Sequence, residues 1–180
     1  FIPVLSEVLL KDGQKKSWEL FSRVANLAFL VTAFLSIFVA ILAKPLIETE
    51  IGIAPGFTSG QQEVVIMLMR LNLIATLIFS ISGLVMAGLQ ANQHFLLPAL
   101  APLFYNLGQI FGVVILSPAK NYTIGSMSLP AFNFGIKGLV YGVIIGAILH
   151  LVIQLPALIK YKFHWIPSVN LKDPDVMKVL

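Results

Sequence analysis

One arginine, one histidine and three of the carboxamides inside otherwise greasy stretches are the residues whose chemistry needs a reason. Arg70 lies in VVIMLMRLNLIATLIFSISGLVMA, Asn106 and Gln109 in PALAPLFYNLGQIFGVVIL, and His150 and Gln154 in GLVYGVIIGAILHLVIQLPALI. On helices, residues three or four apart share a face, so Asn106 pairs with Gln109 and His150 with Gln154. A guanidinium suits an anion such as a phosphate, and carboxamides and imidazole suit a polar, hydrogen-bonding cargo. Each also has a plainer use. Arg70 lies about six residues into its stretch, roughly 9 Å from the end, and from that depth it can snorkel to the headgroups. The amides and the histidine can instead join helices by hydrogen bonds worth about 0.6 kcal/mol each in a bilayer. Both uses are kept for all five as candidate substrate-binding residues. Asn26, Thr32 and Ser36 are weaker candidates, because a hydroxyl can bond its own helix backbone.

Other chemistries lack their residues. The chain has no cysteine, so it offers no disulfide, thiolate zinc site or cysteine nucleophile. His94, His150 and His164 have no metal-ligand spacing, and no pair of acids falls within an apolar stretch. Glu7 and Asp12 read as solvated residues at a membrane edge, and the Asn121-Tyr122-Thr123 sequon as a chance match. No enzyme, metal or cofactor is expected. The net charge of +4 does not imply nucleic acid, since the basic residues lie between apolar runs and not on a clustered face.

The elements that must position these residues are membrane spans. The chain has 180 residues, 58% hydrophobic and 11% charged, against roughly 45–50% and about 25% in soluble domains. About 20 apolar residues cross the hydrocarbon core as a helix, and lipid leaves the backbone no other partner. The expected organisation is an all-α polytopic transmembrane bundle. Residues 1–16 are the end of a preceding span and a cytoplasmic link, followed by spans at 17–44, 64–91, 95–117 and 136–160. External loops occupy 45–63 and 118–135, and 161–180 is a cytoplasmic link with the start of a next helix. Pro45 is expected to stop the first of these helices. The connection Asn92-Gln93-His94 is so short that the spans on either side are expected to form an antiparallel hairpin. Pro98 and Pro102 fall in the first turns of the third span, and Pro102 should bend it.

Lysine and arginine set the orientation, because they accumulate on the cytoplasmic side. Lys11, Lys15, Lys16 and Arg23 precede the first complete span, and Lys160, Lys162, Lys172 and Lys178 follow the fourth, all on one side. The other side has Lys44, Lys120 and Lys137, with Glu48 and Glu50 nearby. Both ends are therefore expected inside the cell. The chain opens at Phe1 without a signal peptide pattern and is expected to be part of a longer protein. Gly138, Gly142 and Gly146 make a small-residue stripe that admits a close helix neighbour, and Gly108 and Gly112 repeat it.

Four runs in order bring a resemblance: FIPVLSE at the start, APGF at Ala54 to Phe57, PALAPLFYN at Pro98 to Asn106, and GVIIGAILHLVIQLPAL at Gly142 to Leu158. Together they resemble the MurJ/MviN lipid II flippases, within the superfamily of multidrug, oligosaccharidyl-lipid and polysaccharide exporters. The resemblance implies part of the N-terminal lobe of a two-lobe exporter that works by alternating access. It implies the bacterial cytoplasmic membrane, with membrane lipids and lipid II, the lipid-linked peptidoglycan precursor, as partners. Arg70 matches a position where the family often carries a basic residue, and Asn106 the asparagine closing its run. The family commonly has proline at Ile74, asparagine at Gln90, a basic residue near Gln93 or His94, and glutamine at His150. Its cavity arginines lie mainly on helices outside this sequence. Other readings are a flippase for another polyprenyl-linked glycan, a multidrug antiporter of that superfamily, a membrane enzyme acting on polyprenyl phosphates, or a scaffold.

Overall fold

A computed structural model describes residues 1–49 and 52–179; Glu50, counted above with an external loop, and Leu180 lie outside the described residues. A short helix α1 (Ile2–Asp12) turns at Gly13, whose φ of 88° favours glycine, into the 35-residue α2 (Gln14–Glu48). Next come α3 (Ser59–Ala91), α4 (Leu96–Phe111) with a π-helical extension Gly112–Leu116, and a hairpin of β1 (Tyr122–Ile124) and β2 (Met127–Leu129). The chain continues into α5 (Ile136–Val152), α6 (Leu155–Lys160) and α7 (Pro174–Val179). Four of these segments are long and apolar enough to cross a membrane, the last formed by α5 and α6 together.

Pro45 does not end α2; the helix continues to Glu48. Proline removes only its own N–H and crowds the carbonyl four residues back, which bends a long helix without ending it when the following turn is held. Here it is held: Thr49 returns both its N–H and its hydroxyl to the Pro45 carbonyl, at 3.3 and 2.8 Å. Ala43 and Ile47 are also buried against Ala54 and Ile66. The helix α3 begins before its apolar run because Thr58 and Gln61 form a capping box, the Thr58 hydroxyl accepting from the Gln61 N–H and the Gln61 side chain accepting from the Thr58 N–H.

The expected hairpin of α3 and α4 forms only loosely, touching through side chains. The close partner of α4 is α5, and α5 in turn packs on α3. A short connection fixes only where two helices start, and glycine decides which backbones can meet. A Cβ at Gly108 would lie 2.4 Å from the Gly146 backbone, and one at Gly112 would lie 2.5 Å from Gly142 Cα. Gly138 meets the backbone of Ser117 at 2.6 Å in the same sense, so the glycines of the two helices interlock along an antiparallel seam. Across α3 and α4 the contact is through side chains, with the Phe79 and Tyr105 rings edge to face at 5.0 Å.

The fourth span is also not one continuous helix. Pro156 has no N–H for the carbonyl of Val152, and α5 ends there. The Gln154 N–H bonds Leu151 O at 3.1 Å, and α6 restarts with the proline in its first turn.

Packing is densest at one end of the bundle. Leu5, Val8, Trp18, Phe21, Val85, Leu89, Leu158 and Val176 form a common core there from α1, α2, α3, α6 and α7. Trp18, Phe21 and Phe163 stack edge to face with centroids 5.2 to 5.5 Å apart. The link 161–168 is tied along α2 by side chains. Trp18 Nε1 donates to Tyr161 O at 3.0 Å, Asn26 Nδ2 to Ile166 O at 2.7 Å and Ser168 O at 2.9 Å, and Trp165 Nε1 to Asn26 Oδ1 at 2.9 Å. Arg23 and Asp173 close the link with an ion pair. Asn26 thus has a structural task that its sequence position did not reveal.

Candidate functional site

The five candidate residues fall in three places. His150 and Gln154 come together in one buried node and are joined by Ser82 of α3, a residue not singled out from the sequence. Gln154 is fully buried and His150 is 6% exposed. Because Pro156 breaks the helix and the Gln154 N–H turns to Leu151, the carbonyl of His150 loses its regular partner. The Gln154 side chain replaces it, with Nε2 donating to His150 O at 2.8 Å. The same Nε2 lies 3.0 Å from Ser82 Oγ, and Ser82 Oγ lies 2.6 Å from His150 Nδ1. A hydroxyl has one proton, so the consistent order runs from the Gln154 amide to the Ser82 hydroxyl to Nδ1 as acceptor. The Phe79 ring packs edge to face on His150 at 5.3 Å. This is the joining of helices foreseen as the plain use of these residues, with α3 as the partner helix. Gln154 Oε1 is buried without a hydrogen-bond partner.

On α4, Gln109 donates to the hydroxyl of Tyr105 on its own helix at 2.7 Å and makes no hydrogen bond to a second helix among the described residues. Asn106 is exposed and makes no side-chain hydrogen bond among the described residues. It sits among Leu103, Leu107 and Ile110 on the outward face of α4, with its amide free for a partner that approaches from that side.

Arg70 stands near the other end of α3, where that helix meets α2 at Ala40. Its Nε donates to Ala40 O at 3.0 Å, and the guanidinium makes no other hydrogen bond among the described residues. Arg70 borders an open pocket of about 390 Å³ together with Lys44, Glu48, Glu63, Ile66, Met67 and Leu71. Lys44 and Glu48 face each other at 3.9 Å. Two cations and two acids therefore share the pocket wall, and it is not a purely cationic cradle. No group of three or more metal-binding side chains is present among the described residues.

Ser82 was missed for a physical reason. A lone serine in a span ordinarily bonds its own backbone, as Ser80 does to Leu77 O at 2.8 Å, and nothing in its spacing marks which serine turns to a neighbouring helix.

Comparison with known proteins bears on the whole chain. The family model described as lipid II flippase MurJ matches residues 1–180. Two curated relatives are each named "Probable lipid II flippase MurJ". The one from Buchnera aphidicola subsp. Acyrthosiphon pisum (strain APS) is 26% identical over 182 residues, covering 100% of this chain and 33% of that protein. The one from Buchnera aphidicola subsp. Baizongia pistaciae (strain Bp) is 24% identical with the same shares. The chain thus spans about a third of the length of the curated relatives it matches. Apolar helices that hide little of their surface within the bundle and a match running from the first residue to the last have one explanation: this chain belongs to the lipid II flippase MurJ family and is part of a multi-pass membrane protein.

Proposed function

We propose that the protein containing this chain carries lipid II, the lipid-linked peptidoglycan precursor, from the inner to the outer leaflet of the bacterial cytoplasmic membrane by alternating access. This segment forms most of one of its two lobes. The observation that carries the proposal is the family match over all 180 residues. The physical task is to move a charged, sugar-bearing headgroup through hydrocarbon while its tail stays in lipid. That needs a polar groove open sideways, formed where two lobes rock about a central site.

The arrangement of the helices supports a lobe that moves as a unit. The glycine seam locks α4 to α5, the Ser82 node ties α5 to α3, and the base core ties α3 to α2. In this proposal both ends of the segment are cytoplasmic, and Arg70 and Asn106, whose polar groups remain partly or wholly free, face the path of the headgroup. Gln109, His150 and Gln154 are spent on contacts within the lobe.

The test uses the full-length protein. Arg70→Ala and Asn106→Ala variants are reconstituted in vesicles and lipid II translocation is measured. At least a severalfold loss of rate at unchanged protein yield is expected for each, and wild-type rates would remove both residues from the path. Depletion in cells should give lysis with accumulated lipid-linked precursor; depletion without that accumulation would overturn the assignment of substrate.

A further inference from the structure

The hairpin of β1 and β2 is amphipathic, and the flippase assignment gives it no role. Tyr122 pairs with Leu129, Thr123 with Ser128, and Ile124 with Met127. Directly opposed residues share a face and alternate residues return to it, so Tyr122, Ile124, Met127 and Leu129 form one face while Thr123 and Ser128 form the other. The apolar face is oriented at its base. Tyr122 donates its hydroxyl to Val114 O at 2.7 Å, a carbonyl within the π-helical end of α4. Towards the tip it stays open among the described residues: Ile124 is 60% exposed and Met127 63%.

The loop around the hairpin has the composition of an interfacial segment. From Pro118 to Gly135 its only charged residue is Lys120, with no acid, and Tyr122, Phe132 and Phe134 supply aromatic rings. Aromatic residues and a cation suit the headgroup boundary of a bilayer, and an acid there would be repelled by anionic lipid. A loop meant for water would expose its apolar pair at a cost, whereas one lying on the bilayer gains by burying it.

We propose that this hairpin lies in the headgroup–acyl boundary of the leaflet beside it, with the Ile124 and Met127 side chains in lipid and Thr123 and Ser128 facing water. It anchors the α4 to α5 connection at the membrane surface. The inference needs the chain to span the bilayer but holds whichever lipid-linked cargo is carried, so its failure would leave the transport assignment intact.

The experiment places a nitroxide at Met127→Cys or Thr123→Cys in the full-length protein, with any other cysteine replaced by serine, in vesicles of phosphatidylethanolamine and phosphatidylglycerol. Both sites are exposed, so neither label disturbs packing. The ratio of oxygen accessibility to that of a water-soluble nickel chelate is expected to be severalfold higher at 127 than at 123. Equal, nickel-accessible labels would put the hairpin in water and overturn the proposal. A label at 127 that is immobile and shielded from both reagents would show protein covering that face, and would overturn it as well.

Discussion

Gln154 repairs with its side chain the damage that Pro156 does two residues later. The amide takes up the carbonyl of His150 and also reaches Ser82, so the break in the helix and the tie to α3 depend on one side chain. His150→Leu should strip the Ser82 hydroxyl of its acceptor in a buried place, at about 1–3 kcal/mol for an unmet polar group. His150→Gln should cost much less, because an amide oxygen can accept the same hydroxyl and glutamine is what the family commonly carries there. Thermal unfolding in detergent checks both; equal midpoints for the two variants would show that the node contributes nothing. The pairing of His150 with Gln154 was legible as an i, i+4 repeat. Their partner Ser82 was not, because it lies 68 residues from His150 and its register against α5 depends on how the helices pack.

At the scale of elements, glycine outweighed chain connectivity. The sequence shows the stripes on α4 and α5, but a stripe says only that a helix can be approached, not by which neighbour. The short link before α4 brings α3 alongside through side chains, and the interlocking backbones make α5 the closer partner. Gly108→Ala puts a methyl group against the Gly146 backbone, where no rotamer can relieve it, and should destabilise by about 1–3 kcal/mol as overpacking does. Gly83→Ala is the control, since nothing lies within 4 Å of its added Cβ. Unfolding midpoints should fall for the first and stay level or rise slightly for the second; equal changes would contradict the seam. The prolines divide in the same way. Pro45 and Pro156 both lie in helical runs, yet α2 continues through the first because Thr49 and buried Ile47 hold its final turn, while α5 stops before the second.

For the whole molecule, the apolar surface faces outward. In the most apolar stretches of α2 and α3 only 11% of residues are buried within the bundle, so lipid or the other helices of a longer protein must cover the rest. The number of spans and their class were legible because roughly 20 apolar residues in a row leave the backbone little choice. The hairpin in the loop between α4 and α5 was not, because two three-residue strands carry too short an alternation to stand out. Cysteine labelling tests the central claim most directly, with an impermeant maleimide applied to intact cells that carry Thr123→Cys or Lys162→Cys in an otherwise cysteine-free full-length protein. The account predicts that position 123 reacts from outside and position 162 only after the membrane is opened. Reaction at 162 in intact cells with 123 protected would contradict it.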